Sequence, residues 1–162
     1  MQRGLALREK LFSQKCSFVA RVTADYGDKI FTFRIGCTAD TDGAISFAVI
    51  APESIAGIMG GMKADSGYLT FEDTVLAFPL LADGELSPIS APWLLISTLR
   101  GGNMASAGMD GDELLLTIHD SYEEDALRLD IWLDAEDNPL RCDIVWQNRR
   151  ILSVEIEDFA FV

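Results

Sequence analysis

Residues 125–134 read Asp-Ala-Leu-Arg-Leu-Asp-Ile-Trp-Leu-Asp, and this stretch decides the fold class. Its apolar side chains recur at every second residue, at Leu127, Leu129, Ile131 and Leu133. A period of two places them on one face of a β-strand and leaves polar residues such as Asp130 on the other face. The stretch therefore predicts a half-buried strand.

The same period recurs on both sides of this stretch. Three strands are predicted early in the chain, with turns at Tyr26-Gly27-Asp28 and Asp40-Thr41-Asp42-Gly43, and short turns of this kind give an antiparallel meander. A hairpin turning at Glu72-Asp73 follows. The predicted strands are residues 16–25, 31–37, 45–50, 67–71, 74–78, 113–119, 127–134, 139–147 and 151–162.

Helical periodicity appears in two places, at residues 5–14 and 91–100. Ser90 is the predicted N-cap of the second helix, Pro92 lies in its first turn, and Gly101-Gly102 ends it. Residues 52–62 are predicted to be a short helix or an apolar loop, and residues 103–112 a loop.

About nine strands make a large sheet whose apolar face needs a cover. We predict an α+β fold that is mainly antiparallel β, with a curved sheet or half-open barrel wrapped around the helix at residues 90–100. Residues 52–62 are the second predicted cover. The sequence contains no repeat, low-complexity tract or linker, so residues 1–162 are expected to form one domain.

The composition narrows the possible partners. The chain has 162 residues, a formal net charge of -13, 49% hydrophobic residues and a mean hydropathy of +0.17. Nucleic-acid binding needs clustered positive charge, and so does adhesion to an anionic membrane surface. Both are disfavoured here, and the charge favours a soluble monomer.

No apolar stretch is long enough for a membrane helix. Arg3, Arg8, Glu9 and Lys10 interrupt the first residues, so these do not form a signal peptide. Two expectations stay open: a cytoplasmic protein, or an extracytoplasmic one whose signal segment lies outside this chain.

The sequence contains no recognisable catalytic motif. His119 is the only histidine, and it falls at the end of a predicted strand, which is typical of a structural residue. Histidine-rich metal sites cannot be assembled, and no cofactor is predicted. Asp40-Thr41-Asp42-Gly43 lacks the later ligands of a calcium loop and is better explained as a β-turn. The glycines near residue 60 lack the Lys-Ser/Thr pair of a phosphate-binding loop.

The three cysteines are Cys16, Cys37 and Cys142. An odd number without a Cys-x-x-Cys motif argues against a disulfide framework and a zinc site. Two alternatives remain: all three are buried free thiols, or Cys16 and Cys37 face each other across a hairpin centred on Tyr26-Gly27 and form a disulfide.

The order of these features resembles the LolA/LolB-like lipoprotein-carrier superfamily, in particular its Gram-positive lipoprotein relatives. The features are an N-terminal helix, a meander over residues 18–50, the segment Pro52-Glu53-Ser54-Ile55-Ala56-Gly57-Ile58, the hairpin opening at Gly67-Tyr68-Leu69-Thr70-Phe71, the helix at residues 91–100 and a last group of strands with Asn138-Pro139-Leu140.

The resemblance implies a half-open β-barrel with helices across its mouth and an apolar cavity that holds acyl chains. It also implies work outside the cytoplasm, as a membrane-anchored lipoprotein or a secreted protein. An arginine anchors the lid in the Gram-negative carrier. Arg21 and Arg34 are strand residues considered for that role, and it is assigned to neither.

We therefore expect a non-enzymatic carrier or binding protein for a lipid, an acyl chain or a lipidated protein, with an envelope protein as a further partner. The alternatives are an interaction or structural module of the cell envelope with a filled core, and a hydrolase centred on His119. The predicted cavity residues are Phe31, Phe33, Ile35 and Trp146 on the strands, and Ile55, Ile58, Met59, Trp93, Leu94 and Ile96 on the covering segments. Apolar and methionine-containing linings suit flexible acyl chains.

Overall fold

The computed structural model describes residues 1–25, 27–63, 66–71, 74–79, 81–82 and 85–162. Within these residues the helices are α1 (Gln2–Ser13), a short 3-10 helix (Pro88–Ser90) and α2 (Ala91–Gly101). The strands are β1 (Cys16–Asp25), β2 (Ile30–Ala39), β3 (Ile45–Ala51), β4 (Met59–Lys63), β5 (Ser66–Phe71), β6 (Thr74–Pro79), β7 (Leu81–Ala82), β8 (Glu85–Leu86), β9 (Asn103–Asp110), β10 (Glu113–His119), β11 (Arg128–Leu133), β12 (Pro139–Trp146) and β13 (Arg149–Phe161).

Eleven of these strands form one antiparallel sheet in the order β6-β5-β4-β3-β2-β1-β13-β12-β11-β10-β9, and β7 pairs with β8 separately. The sheet consists of two meanders, β1 to β6 and β9 to β13. Pairing of β1 with β13 joins the meanders at the centre. The order is linear over the described strands, with β6 and β9 at the edges, so this sheet is not closed into a barrel.

One face of the sheet, here called the core face, packs against both helices. Cys16, Phe18, Ala20, Val22 and Ala24 are the buried residues of β1, and each alternates with a more exposed neighbour. Eight of the eleven residues of α2 are buried, as are Leu7 and Leu11 of α1. The opposite face of the sheet, here called the outer face, carries the more exposed side chains that alternate with the buried ones along each strand.

The predicted α+β class and the curved open sheet with covering helices are confirmed. Both predicted helices are present, and the early meander, the hairpin of β5 and β6, and the last four strands form as expected. The predicted turn Glu72-Asp73 lies outside the described residues, and so does Tyr26. Neither described helix has the length and apolar character needed to cross a membrane.

Two segments that were not predicted to be strands belong to the sheet: part of residues 52–62, predicted as a short helix or an apolar loop, and residues 103–110, predicted as a loop. Residues 59–63 form β4 and residues 103–110 form β9, because main-chain pairing with neighbouring strands stabilises segments whose small side chains show no alternation. Residues 52–57 form turns and residues 59–63 belong to the sheet, so residues 52–62 do not form a second cover. α1 is the helix that packs beside α2, a role that was not predicted for it from the sequence.

The register of the first hairpin differs from the one that a disulfide would need. Cys16 lies opposite Ala39, and Cys37 lies opposite Phe18. Asp25 pairs with Ile30, so the connection is longer than a two-residue turn and the second strand is shifted by two positions. All three cysteines are free and buried. Ser90 precedes α2, but its hydroxyl donates to the Ser87 carbonyl instead of capping the helix.

Candidate functional site

The apolar core face opens to solvent along β2. Ile35, Phe33 and Phe31 share this face, because the β1 residues opposite them are fully buried. Ile35 is completely buried, Phe33 is half-buried and Phe31 is 52% exposed. A core-facing aromatic ring with half of its surface in water marks the place where the core can be reached from outside.

The turn that follows β3 adds a residue on the same face. The Val49 N–H donates to the Ile58 carbonyl over 2.8 Å, and Val49 itself lies opposite Ile35. Ile58 is half-buried and packs against the core. We call Phe31, Phe33 and Ile58 the apolar opening. Ile55, in the same turn, is 36% exposed.

The predicted lining residues of α2 lie inside the core. Leu94 and Ile96 are fully buried, and Trp93 is only 9% exposed. The part of α2 that these residues occupy is therefore packed against the sheet.

Two other predicted residues lie elsewhere. Met59 lies opposite Ala48. Ala48 is on the outer face, because its neighbours in β3, Phe47 and Val49, face the core, and Met59 is therefore on the outer face as well. Met59 is 57% exposed. Trp146 is the last residue of β12, lies opposite Arg149 and is 39% exposed.

Arg8 fixes α1 to the C-terminal end of α2. Its guanidinium donates to the Leu99 carbonyl over 2.5 Å and to the Gly102 carbonyl over 2.7 Å. The last carbonyls of a helix have no partner within the helix and carry partial negative charge, so a cation stabilises them. Partial burial lowers the pKa of Arg8, and the carbonyls compensate for the lost hydration.

Arg100 connects α2 to the turn between β2 and β3. Its Nη2 donates to the Thr41 carbonyl over 2.7 Å, and its guanidinium lies 4.3 Å from the ring centroid of Phe12. Gly43 belongs to this turn, with φ of 89°, and a side chain there would collide with the Arg100 guanidinium. The turn is thus the β-turn expected from the sequence, and the hydrogen bond from the Ala44 N–H lowers the pKa of Asp42.

Arg21 and Arg34, the strand arginines considered for lid anchoring, lie directly opposite each other on the outer face. Arg34 pairs with Glu157 at 2.8 Å, and Arg21 approaches Glu155 at 3.8 Å. The arginines that hold the helices are Arg8 and Arg100, and neither was predicted from the sequence to do so. The available signal was position: Arg8 lies between core-facing leucines, and Arg100 lies in the last helical turn.

Among the described residues, the buried titratable groups on the core side are the thiols of Cys16, Cys37 and Cys142. Burial raises the pKa of Cys16 to about 11 and raises the pKa values of Cys37 and Cys142 as well. His119 is the last residue of β10 and pairs with Asn103 and Arg128 in neighbouring strands. Among the described residues, no three His, Cys, Asp or Glu side chains are grouped so that they could hold a metal ion.

Comparisons with solved structures identify the same architecture. An uncharacterized conserved protein from Thermus thermophilus matches with a TM-score of 0.52 and 12% identity, covering 99% of this chain and 86% of that one. A chain from the structure of the Clostridioides difficile CwlD amidase in complex with the GerS lipoprotein matches with a TM-score of 0.50 and 14% identity, covering 99% of this chain and 95% of that one.

A LolA superfamily protein from Nitrosomonas europaea also matches, with a TM-score of 0.47 and 9% identity over 98% of this chain and 93% of that one. At 9 to 14% identity these likenesses concern the fold alone, and the fold agrees with the one that the order of sequence features predicts. The resemblance found in the order of sequence features is thus confirmed at the level of the fold. No protein-family model matches the chain, and no curated protein matches it.

Proposed function

We propose that this chain binds or carries a lipid, an acyl chain or a lipidated protein at the cell envelope, and that it catalyses no reaction. The observation that carries the proposal is the apolar opening, where the core face of a LolA-like fold reaches solvent at Phe31. An acyl chain bound there would replace water on Phe31 and Phe33 with apolar contact, at about 25 cal/mol per Å² of apolar surface buried.

The contact of Arg100 with Thr41 is compatible with entry of an acyl chain at Phe31. Phe31 is the second residue of β2, whereas Arg100 binds Thr41, which lies beyond the last residue of the same strand. An acyl chain that enters at Phe31 does not need to break the Arg100 contact. Phe33, Ile35 and Ile58 then form its path, and Trp93, Leu94 and Ile96 of α2 are the proposed far wall.

The proposal includes the place of action. We infer an extracytoplasmic protein, anchored as a lipoprotein or secreted, in keeping with the resemblance to envelope carriers. Residues 1–162 would form a single LolA-like domain.

A second function rests on the dense packing of α2. Leu95, Ile96 and Leu99 are completely buried, so the core can be filled without a ligand. The chain would then be an interaction module of the cell envelope. A match to a chain from an amidase–lipoprotein complex is compatible with that alternative, although the likeness is one of fold alone.

A fluorescent fatty acid tests the first proposal. The folded wild-type chain should bind the probe with a Kd on the order of a micromolar or lower and increase its emission. Phe31→Asp should weaken binding at least about tenfold, because a carboxylate would be desolvated by the acyl chain. Both Phe31 and its neighbour Ile30 are exposed, at 52% and 67%, so substitution of either should leave the fold intact.

Ile30→Asp is the matched control, since Ile30 lies opposite Asp25, in the row of β2 that faces away from the core. It should bind the probe as the wild type does. Failure of the folded wild type to bind, or equal loss in both variants, would reject the carrier function in favour of the interaction module. Native mass spectrometry of protein purified from its own host then detects a bound lipid by the added mass, and loss of that mass after lipid extraction confirms the assignment.

A further inference from the structure

Among the described strands, β9 forms one edge of the eleven-stranded sheet and pairs on one side only, with β10. In an edge strand every second residue directs its N–H and C=O groups away from the sheet. Five of the last six residues of β9 are exposed, and Met109 is 62% exposed. The free side of this strand thus faces solvent over most of its length.

The composition of β9 leaves this edge open to another strand. Natural edges are protected by charged residues, above all lysine, by proline or by bulges that turn the edge away. Residues 103–109 contain neither a charge nor a proline, and Ala105, Ser106, Ala107 and Gly108 are small. The one register shift lies near the start of the strand, between Thr117 and Ile118 of its partner. The shift leaves Ala105 without a partner in β10, so a second backbone can approach residues 106–109 closely.

Acidic groups flank both ends of the uncharged edge. Asp110, Asp112 and Glu113 lie at one end, where Glu113 pairs with Arg141 at 3.0 Å. The other end begins at Asn103, opposite His119, and the loop after His119 contains Asp120, Glu123, Glu124 and Asp125. In this loop Tyr122 is 89% exposed. A strand laid along β9 would have carboxylates near both of its ends.

We propose that β9 receives an extended segment of a partner protein by strand addition, and that this segment is uncharged in its centre and basic at both ends. Main-chain hydrogen bonds supply affinity in this mode of recognition, and flanking charges supply selectivity. A second copy of this chain fits poorly. Antiparallel pairing of two β9 strands would bring the acidic turn of each copy to the acidic loop of the other, in molecules that each carry a net charge of -13.

This surface is separate from the apolar opening. β9 lies at the sheet edge, whereas β2 is separated from it by β1 and by β13, β12, β11 and β10. Binding at one surface can therefore be lost while binding at the other is retained, and the two proposals fail independently.

The test uses the full chain and a labelled synthetic peptide of alternating threonine and valine with a pair of lysines at each end. Fluorescence anisotropy should give a Kd below about 1 mM at low salt, and binding should weaken as salt is added. The same peptide with glutamates in place of the lysines should bind at least about tenfold more weakly.

Ser106→Pro and Ala107→Pro, made separately, locate the contact on the edge. These neighbours direct their N–H groups to opposite sides, so one substitution breaks the pairing with β10 and lowers the unfolding temperature, and the other removes only an outward donor. The variant with the wild-type unfolding temperature should lose peptide affinity at least about tenfold.

Glu124→Lys should weaken binding severalfold, whereas Glu53→Lys, in the exposed turn after β3, changes net charge equally and should not weaken binding.

Three results would overturn the proposal: no binding of the lysine-flanked peptide by the wild type, equal binding by the outward proline variant, or equal binding of the glutamate-flanked peptide. Sedimentation velocity tests whether a second copy of the chain binds to β9. A dimer that the same proline variant abolishes would assign this edge to self-association and also reject the proposed partner.

Discussion

The guanidinium of Arg8 donates to the carbonyl oxygen of Gly102, the residue that follows α2, over 2.7 Å. Residues far apart in the chain thus join the only two α-helices of the described residues through one side chain. The cation meets the negative end of the α2 dipole, so electrostatics and hydrogen bonding act together. Arg8 and Arg100, whose guanidinium lies over the Phe12 ring of α1, together hold the two covering helices as one layer.

Replacing Arg8 should therefore lower the free energy of unfolding more than replacing an arginine in an exposed ion pair. Arg8→Ala is expected to lower the free energy of unfolding by about 2 kcal/mol, because charge-assisted hydrogen bonds to several carbonyls are lost at once. Arg21→Ala is the control, since its ion pair with Glu155 is long and exposed, and it should cost less than about 1 kcal/mol. Urea denaturation curves measure both. Equal costs would show that the α2 carbonyls gain nothing specific from Arg8.

Strands were predictable from the sequence where the side chains on their two faces differ clearly in polarity or size. In β11 the buried Leu129, Ile131 and Leu133 alternate with less buried residues, so its period of two is visible in the sequence, as it is in β1. β4 and β9 escaped detection because glycine, alanine, serine and methionine give no alternation. Their strand conformation depends on pairing with neighbours that are visible only in the assembled sheet.

The candidate site was predictable in part for the same reason. The shared face of Phe31, Phe33 and Ile35 follows from their spacing, and the structure places all three on it. The outer-face position of Met59 follows from the register of β4 against β3, which the sequence does not encode locally. The roles of Arg8 and Arg100 depend on which helix ends meet, and that is a tertiary relationship.

Two glycines should respond to alanine in opposite directions. A Cβ at Gly60 would collide with the Tyr68 carbonyl oxygen and lie 2.7 Å from Cζ of Phe47. Gly60→Ala should therefore cost about 2 kcal/mol or more through strain in the core. Gly101, the last residue of α2, has open space around its Cβ position, and Gly101→Ala should gain about 0.5 kcal/mol from helix propensity. Thermal unfolding of both variants gives the two signs, and stabilisation by Gly60→Ala would contradict the close packing of β4 beneath Phe47.

The three thiols should be unreactive until the chain unfolds. With the pKa of Cys16 raised to about 11, only about a thousandth of its thiol is ionised at pH 8, and reagent access to a buried sulfur is lower still. Ellman's reagent should titrate no thiol in the native chain at pH 8 and all three in denaturant. Rapid native labelling of Cys16 would show that the pairing of β1 with β2 and β13 opens readily.

The same thiols make stability depend on pH on the alkaline side. Their folded pKa values are raised, so above the ordinary thiol value near pH 8.5 the unfolded chain releases protons that the native chain retains. The free energy of unfolding should therefore fall as pH rises from about 8.5 towards 11. A Cys142→Ala variant should show a shallower fall across this window, measured against its own value at pH 7.

Asp120 should reduce stability at neutral pH. Partial burial raises its pKa, and the charge of Asp125 adds to the increase, although the hydrogen bond from the Leu127 N–H opposes it. The native chain therefore holds the Asp120 proton to higher pH than the unfolded chain, whose value is near 3.9. Stability falls as pH rises through this interval, and the penalty persists above it.

In the wild type, the Leu127 N–H donates to Asp120 Oδ1 over 2.8 Å. Asp120→Asn removes the penalty of the buried charge and keeps a side-chain oxygen as the acceptor for this N–H. The variant should unfold at a slightly higher temperature than the wild type at pH 7, and the difference should disappear below about pH 3.5. Asp120→Ala is the control, because it also removes the charge but leaves the Leu127 N–H without this acceptor, so it should gain less or lose stability. Asp125→Asn should lower the pKa of Asp120 in a carboxyl NMR titration, and an unchanged value would remove Asp125 as a cause of the shift.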